Sequence, residues 1–321
     1  MQNSLIVGLV DGNGNLLSSQ PYMEYQYGHR STEIIVPIRG TRLVEILQDE
    51  LGNISYENNR LILKQIFVSN VNITAMSLLG KIAEAVLVRR CQEDENLNRQ
   101  LFQIARRKGA IRRTSQRFKA IGTGLKSTQR YYPQRYNPSD TQRDIIWVDE
   151  NGIPALMAGS SAMSGIEAGL QVKVSLYGIG YMVNDLVTNR YEVPMVYFPV
   201  QNDFEKVVDK LIRDKNAYVL DHNTGEYRGV IIGDDLVDIR AYDYDAFEEV
   251  KDYYPIIVDL LNGKIEITDL IDIAIGNGVL QNDDRYLEEP HLLVTNPLRD
   301  CQQVQRFRQQ QVFLLASILG F

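Results

Sequence analysis

Three side chains set the chemical question: Asp144, Gln171 and Lys173. Gln171 and Lys173 lie in Gly169-Leu170-Gln171-Val172-Lys173-Val174-Ser175, an apolar-rich run that reads as a short β-strand. Strand side chains alternate with period two, so Gln171, Lys173 and Ser175 share one face and Leu170, Val172 and Val174 the other. Lysine is rarely buried unless paired, so a lysine inside this strand calls for an anion. Asp144, heading a second apolar run (Ile145-Ile146-Trp147-Val148), is the natural partner. A carboxylate, an amide or carboxylate oxygen and a lysine are the set that metal-assisted phosphodiester hydrolysis uses. Oxygen ligands hold a hard divalent cation such as Mg2+ or Mn2+, which neutralises phosphate charge and acidifies a water. The ammonium then steadies the attacking water and the anionic transition state.

Each residue also has a plainer reading. Asp144 would pair with its neighbour Arg143 at the strand entry. Lys173 would be an edge-strand lysine with its head in water, and Gln171 a surface amide. Asp149 and Glu167 are rival acids near the same strands.

These strands need a scaffold. Residues 1–75 read as β-rich, with extended runs at Leu5–Val10, Glu33–Ile38 and Arg60–Val68, a hairpin turn at 11–15 and a short helix from Arg42 to Leu51 closed by Gly52. From about Thr74 the apolar period becomes helical through Met76, Leu79, Ile82, Ala83, Val86 and Leu87. A second helix follows over about Leu97–Lys108. Beyond the 144–148 and 170–175 strands comes a strand within Tyr191–Val200 and an amphipathic helix over Asp203–Arg213. From 239 the chain is acidic and helical in pattern, ending in an apolar stretch at 312–321 that reads as a docked helix. The expected division is therefore a β-rich segment 1–75, a core 76–238 and an acidic helical segment 239–321. The fold class is α/β, a mixed central sheet flanked by helices.

The formal net charge is −7, which by itself argues against a nucleic-acid partner. Its distribution argues the other way. Between Asn96 and Ser139 no acidic residue occurs, while eleven basic ones do, including Arg106, Arg107, Lys108, Arg112, Arg113, Arg117, Lys119, Lys126 and Arg130. The other 23 basic residues face all 41 acidic ones, so the rest of the chain carries about −18. A cationic segment on an acidic body is an electrostatic footprint whose simplest partner is a polyanion. The alternative is a segment that neutralises acids of the same molecule. Tyr131, Tyr132 and Tyr136 close the segment and could stack on bases or simply pack.

Several classes find no support. Cys91 and Cys301 stand far apart, and His29, His222 and His291 stand alone, so neither a disulfide framework nor a zinc pattern is present. Such cysteine usage fits a reducing cytoplasm. The apolar runs look too short for a membrane span, and no signal peptide is evident. Gly122-Thr123-Gly124-Leu125-Lys126 lacks the spacing of a nucleotide phosphate loop, and Gly178-Ile179-Gly180 lacks the third glycine of a dinucleotide fingerprint.

The ordered set resembles the PD-(D/E)XK nuclease superfamily, whose members include restriction enzymes and Holliday-junction resolvases. Gly80-Lys81-Ile82-Ala83-Glu84 looks like the family's first helix with its glutamate. Asp144-Ile145-Ile146-Trp147 is similar to the strand with the metal-binding aspartate, and Gln171-Val172-Lys173 to a Gln-x-Lys form of the (D/E)XK element. Tyr191–Val200 and the following helix look like the next strand and second helix. The proline of the family name is replaced by Arg143, and the path from Asp144 to Gln171 is long, with a Gly/Ser-rich insertion at 159–165. The resemblance implies a restriction-endonuclease-like core in which Asp144, Gln171, the Val172 carbonyl and Glu84 hold Mg2+ or Mn2+ while Lys173 contacts water and phosphate. It implies cleavage of DNA, in the manner of a type II restriction or phage-defence endonuclease, by a homodimer with no membrane partner. The competing expectation is a nuclease fold that binds nucleic acid or serves assembly without catalysis.

Overall fold

The computed structural model describes residues 6–10, 15–27, 30–57, 60–64, 70–107, 112–158, 165–214, 218–221, 225–276 and 291–295. The turn expected at 11–14, Lys108, the insertion at 159–164 and the apolar stretch at 312–321 lie outside these residues, as do the side chains of Arg112 and Arg113.

The chain forms two units. The first combines Met1–Glu45, Ile54–Lys64 and Asp252–Phe321; the second combines Ile46–Asn53 and Gln65–Lys251. Strands from early and late in the chain thus share one unit, in place of a division at 75/76 and 238/239. The cause is strand pairing. Ile6–Val10 pairs antiparallel with Leu16–Pro21 on one side and with His291–Thr295 on the other. The run Glu33–Ile38, expected to be extended, lies within the helix Thr32–Glu45 despite Pro37. Burial of Ile34, Ile35, Leu43 and Val44 around the helix outweighs the β-propensity of the Ile-Ile-Val sequence. Gly40 is required there, because a Cβ would come within 2.9 Å of the Leu270 carbonyl oxygen in the helix Ile267–Gly276. Asp252, almost fully buried, is neutralised by Arg30 at 2.6 Å and Arg39 at 3.2 Å.

The second unit is built on five strands: Lys119–Gly122 (β1), Ile145–Val148 (β2), Gly169–Ser175 (β3), Met195–Pro199 (β4) and Leu236–Asp238 (β5). Their order is β5-β4-β3-β2-β1. The pairs β1/β2 and β2/β3 are antiparallel, while β3/β4 and β4/β5 are parallel, so the sheet is mixed. β2 and β4 are buried along their whole length, as in a sheet covered on both sides.

Helices Val71–Glu93 (α1), Glu95–Ala105 (α2), Gly178–Val187 (α3) and Phe204–Asp214 (α4) supply the cover. Asn70 caps α1 by accepting the N–H groups of Asn72 and Ile73, and Asp94 caps α2 in the same way. By length and composition α1 could cross a membrane, contrary to the expectation of no such run. However, 61% of its most apolar stretch is buried inside the structure, where Leu78, Leu79, Ile82 and Val86 are fully covered. The fully buried Trp147 on β2 packs 5.9 Å from Phe102 of α2, and its indole N–H donates to Asn98 Oδ1 at 2.8 Å. Met182, Leu186, Phe204 and Val207 from α3 and α4 pack with Met195, Tyr197 and Leu236 of the sheet.

Candidate active site

Where β2 begins, it parts from β3. The ladder between them holds Ile145 opposite Leu170 and Ile146 opposite Gly169. Beyond it, the Asp144 N–H donates to the Leu170 carbonyl at 3.0 Å. The Asp144 side chain then takes the place of a strand partner. Its Oδ2 accepts the Val172 N–H at 2.7 Å and also the side-chain amide of Gln171. In extended backbone the N–H and C=O of one residue leave the strand on the same side, so the Val172 carbonyl also points to the Asp144 side.

Because Gln171 turns its NH2 to the aspartate, its Oε1 faces the other way. That oxygen is buried and accepts no hydrogen bond from the described residues. A buried acceptor without a donor costs about 1–3 kcal/mol, so this oxygen is set to meet a cation or a donor.

Glu84 reaches the same region from the middle of α1. It is nearly buried and accepts the Gly124 N–H at 3.4 Å. Glycine at 122 leaves room for it, since a Cβ there would fall 2.6 Å from Glu84 Oε1. The Gly122–Gly124 turn, unsuited to phosphate by its spacing, therefore cradles a carboxylate.

The electrostatics match. Burial raises the Asp144 carboxyl to about 6, against the pull of the Val172 N–H and of Lys173. Burial, then the charge on Asp144, raises the Glu84 carboxyl well above the usual range. Two buried acids close enough to repel need protons or a cation. Among the described residues no three His, Cys, Asp or Glu side chains gather as a metal site. The oxygen set here is two carboxylates plus the Gln171 amide, which suits Mg2+ or Mn2+, ions that accept one or two carboxylates with waters and phosphate.

Lys173 differs from expectation. Its ammonium lies near enough to lower the Asp144 carboxyl, but its ion-pair partner is Asp185 of α3, at 3.2 Å. It also donates to the hydroxyls of Tyr181 at 2.9 Å and Tyr191 at 2.5 Å. Burial alone would depress its pKa; the two tyrosine hydrogen bonds outweigh that and carry it upward. Arg143 does not neutralise Asp144, since it pairs with Glu167 at 2.7 Å and Asp140 at 3.2 Å. The rival acids are engaged elsewhere. Asp149 accepts the Asn151 and Ile153 N–H groups in a turn and pairs with Arg117, and Glu167 bridges Arg135 and Arg143.

The basic segment is divided in its roles. Arg107 pairs with the buried Asp235, which also holds Arg228. Arg106 donates to the Leu156 carbonyl at 3.3 Å, and Lys126 to Gln129 at 3.2 Å. Internal neutralisation thus consumes part of the footprint. Lys119 is exposed and has no ion pair among the described residues, Arg130 lies 5.9 Å from the Tyr131 ring, and Arg117 keeps 69% of its side chain exposed. A groove of about 1110 Å³ borders Lys119 and Tyr131, yet its lining holds Asp94, Glu95 and Glu150 as well as Arg99 and Lys119. It is not a channel of one sign.

Charge reversal should separate the two roles. Arg107→Glu breaks a buried pair and is expected to cost about 3–5 kcal/mol of stability, read in denaturant unfolding. Lys119→Glu with Arg130→Glu is expected to keep stability and to flatten the salt dependence of DNA binding by about one unit per lost contact. An unchanged slope would exclude these two residues from a nucleic-acid interface.

No protein-family model, no curated protein and no solved structure matches this chain.

Proposed function

We propose that this protein is a metal-dependent phosphodiesterase that cuts DNA, of the PD-(D/E)XK kind. One observation carries the reading: Asp144 is bound by Gln171 and the Val172 N–H, beside a buried Gln171 oxygen without a donor, with Glu84 and Lys173 in its field. Three elements supply these groups: α1, the start of β2, and β3. The order α1, β2, β3, β4, α4 along the chain is the helix, strand, strand, strand, helix order that the resemblance implies, with α2, β1 and α3 lying between its members.

In this reading Asp144 would hold a divalent ion, with Glu84 and the Val172 carbonyl as further oxygens, and Gln171 would add its Oε1 by turning its amide over so that the oxygen replaces the NH2 beside Asp144. The ion would neutralise phosphate charge and acidify a water. Asp144 needs its ionised form for this, and the Lys173 ammonium helps to supply it by lowering the carboxyl. Gln171 contributes an oxygen without charge, so its site is one negative charge short of a Glu-x-Lys arrangement. Lys173 stabilises the charge that develops on the phosphate oxygens. A restriction or phage-defence role, and a dimer that cuts both strands by symmetry, belong to the same proposal.

The test is cleavage of plasmid DNA, single-stranded DNA and RNA in Mg2+ or Mn2+, with and without EDTA. Cleavage abolished by EDTA and restored by metal is the expected result; no cleavage of any substrate with either metal would refute it. Gln171→Glu should keep or raise activity and lower the metal concentration for half-maximal rate by about tenfold, one added negative charge being worth about 1.4 kcal/mol or more at a metal. An unmoved metal requirement would remove Gln171 from the metal's ligands.

A second reading has its own observation. Lys173 is 4% exposed and held by Asp185, Tyr181 and Tyr191. A lysine so held fits a nuclease fold that binds nucleic acid without cutting it.

A further inference from the structure

An ammonium has three N–H donors; Lys173 gives one each to the hydroxyls of Tyr191 at 2.5 Å and Tyr181 at 2.9 Å, and pairs by charge with Asp185 Oδ2 at 3.2 Å. The three partners are not alike. Asp185 and Tyr191 are buried, at 1% and 8% exposure. Asp185 is held a second time by Arg190 at 3.1 Å, and the Arg190 guanidinium lies 5.3 Å from the Tyr191 ring. Tyr181 is 44% exposed, on the first turns of α3. Of the three, its hydroxyl alone lies on a side chain that reaches solvent.

We propose that the Tyr181 hydroxyl is a removable stand-in for a phosphate oxygen at Lys173 Nζ. Asp185 and Tyr191 are positioning residues that fix the ammonium from below. Tyr181 occupies the donor on the solvent side until a phosphate enters, then swings into solvent and yields its place. The phosphate identity rests on the phosphodiesterase reading above; the unequal hold on the lysine does not.

The local backbone supports a yielding first turn. Gly178 is fixed by its surroundings, since a Cβ there would lie 2.0 Å from the Tyr197 hydroxyl, and its N–H donates to Asp203 at 2.6 Å. Gly180 has no such cause, as nothing lies within 4 Å of a Cβ built on it. A helical glycine without a steric reason weakens the turn that carries it, and that turn carries Tyr181. The aromatic ring also stays useful when the hydroxyl is lost, because its centroid lies 4.9 Å from Nζ.

The experiment is calorimetric titration of the metal-free full chain with inorganic phosphate. Phosphate held elsewhere is subtracted with Lys173→Met. Tyr181→Phe removes the competing hydroxyl, keeps the ring, and is expected to tighten phosphate at Lys173 by about tenfold, the typical worth of one hydrogen bond to a charged group. Tyr191→Phe frees a donor that points into the core and is expected to leave phosphate affinity unchanged. An affinity in Tyr181→Phe equal to wild type would overturn the proposal, as would equal tightening by Tyr191→Phe or a wild-type titration matched by Lys173→Met. DNA cleavage is measured separately on the same proteins. Its absence in wild type alongside the tenfold shift would refute the phosphodiesterase and keep the stand-in. Cleavage lost in Lys173→Met with no shift in Tyr181→Phe would do the reverse.

Discussion

Asp144→Asn is expected to lower divalent-dependent cleavage at least about a thousandfold, a loss of roughly 4 kcal/mol of transition-state stabilisation. It should leave the protein as stable at neutral pH as before, or more so. Asparagine keeps an oxygen for the Val172 N–H and the Gln171 amide, so the local geometry has what it needs. It removes a charge that burial disfavours, since the Asp144 carboxyl is pushed up to about 6. Loss of activity without loss of stability is what a residue kept for chemistry shows, and a residue kept for packing does not. Lys173→Met should abolish cleavage to a similar degree. Asp185, its partner, still has Arg190 at 3.1 Å, so the buried aspartate is not stranded. Cleavage at the wild-type rate in both folded variants would dissolve the active-site assignment.

The backbone order of the second unit was legible because it follows period. The helical spacing of Leu79, Ile82, Ala83 and Val86 and the short apolar runs at 145–148 and 170–175 mark elements that burial then confirms. Period also places Gln171 and Lys173 on one face. It does not say what covers that face, and this is why Lys173 was matched to the wrong anion. Asp144 stands beside it on the sheet, but Asp185 arrives on α3, packed by contacts that no strand pattern contains. Propensity misled at Glu33–Ile38, where β-branched residues sit in a helix because tertiary burial decides. Composition misled in part at the basic segment. A count of arginines records charge, whereas the pair Arg107–Asp235 joins residues 128 apart in sequence. The glycines at 122 and 124 were visible as a turn, but their use appears only when Glu84 is seen against them.

In metal-free protein, stability should fall as pH rises through about 6, and Mg2+ should reverse the fall. Asp144 titrates at about 6 when folded against 3.8 in an ordinary carboxyl, and Glu84 is raised in the same direction. A raised acid binds its proton more tightly in the folded state. Its contribution to stability is therefore complete below about pH 4 and is lost as pH climbs past the folded value. For Asp144 alone the difference is at most about 3 kcal/mol. A divalent ion binds the ionised carboxylates and must displace those protons. It should thus raise the melting temperature of the second unit at about pH 8 and do little at about pH 5, where protons already neutralise the pair. The measurement is thermal unfolding in EDTA and in excess Mg2+ at both pH values, repeated on Asp144→Asn. In that variant the pH dependence should shrink and the Mg2+ effect should vanish. A Mg2+ stabilisation equal at both pH values, or retained in Asp144→Asn, would place the ion away from Asp144.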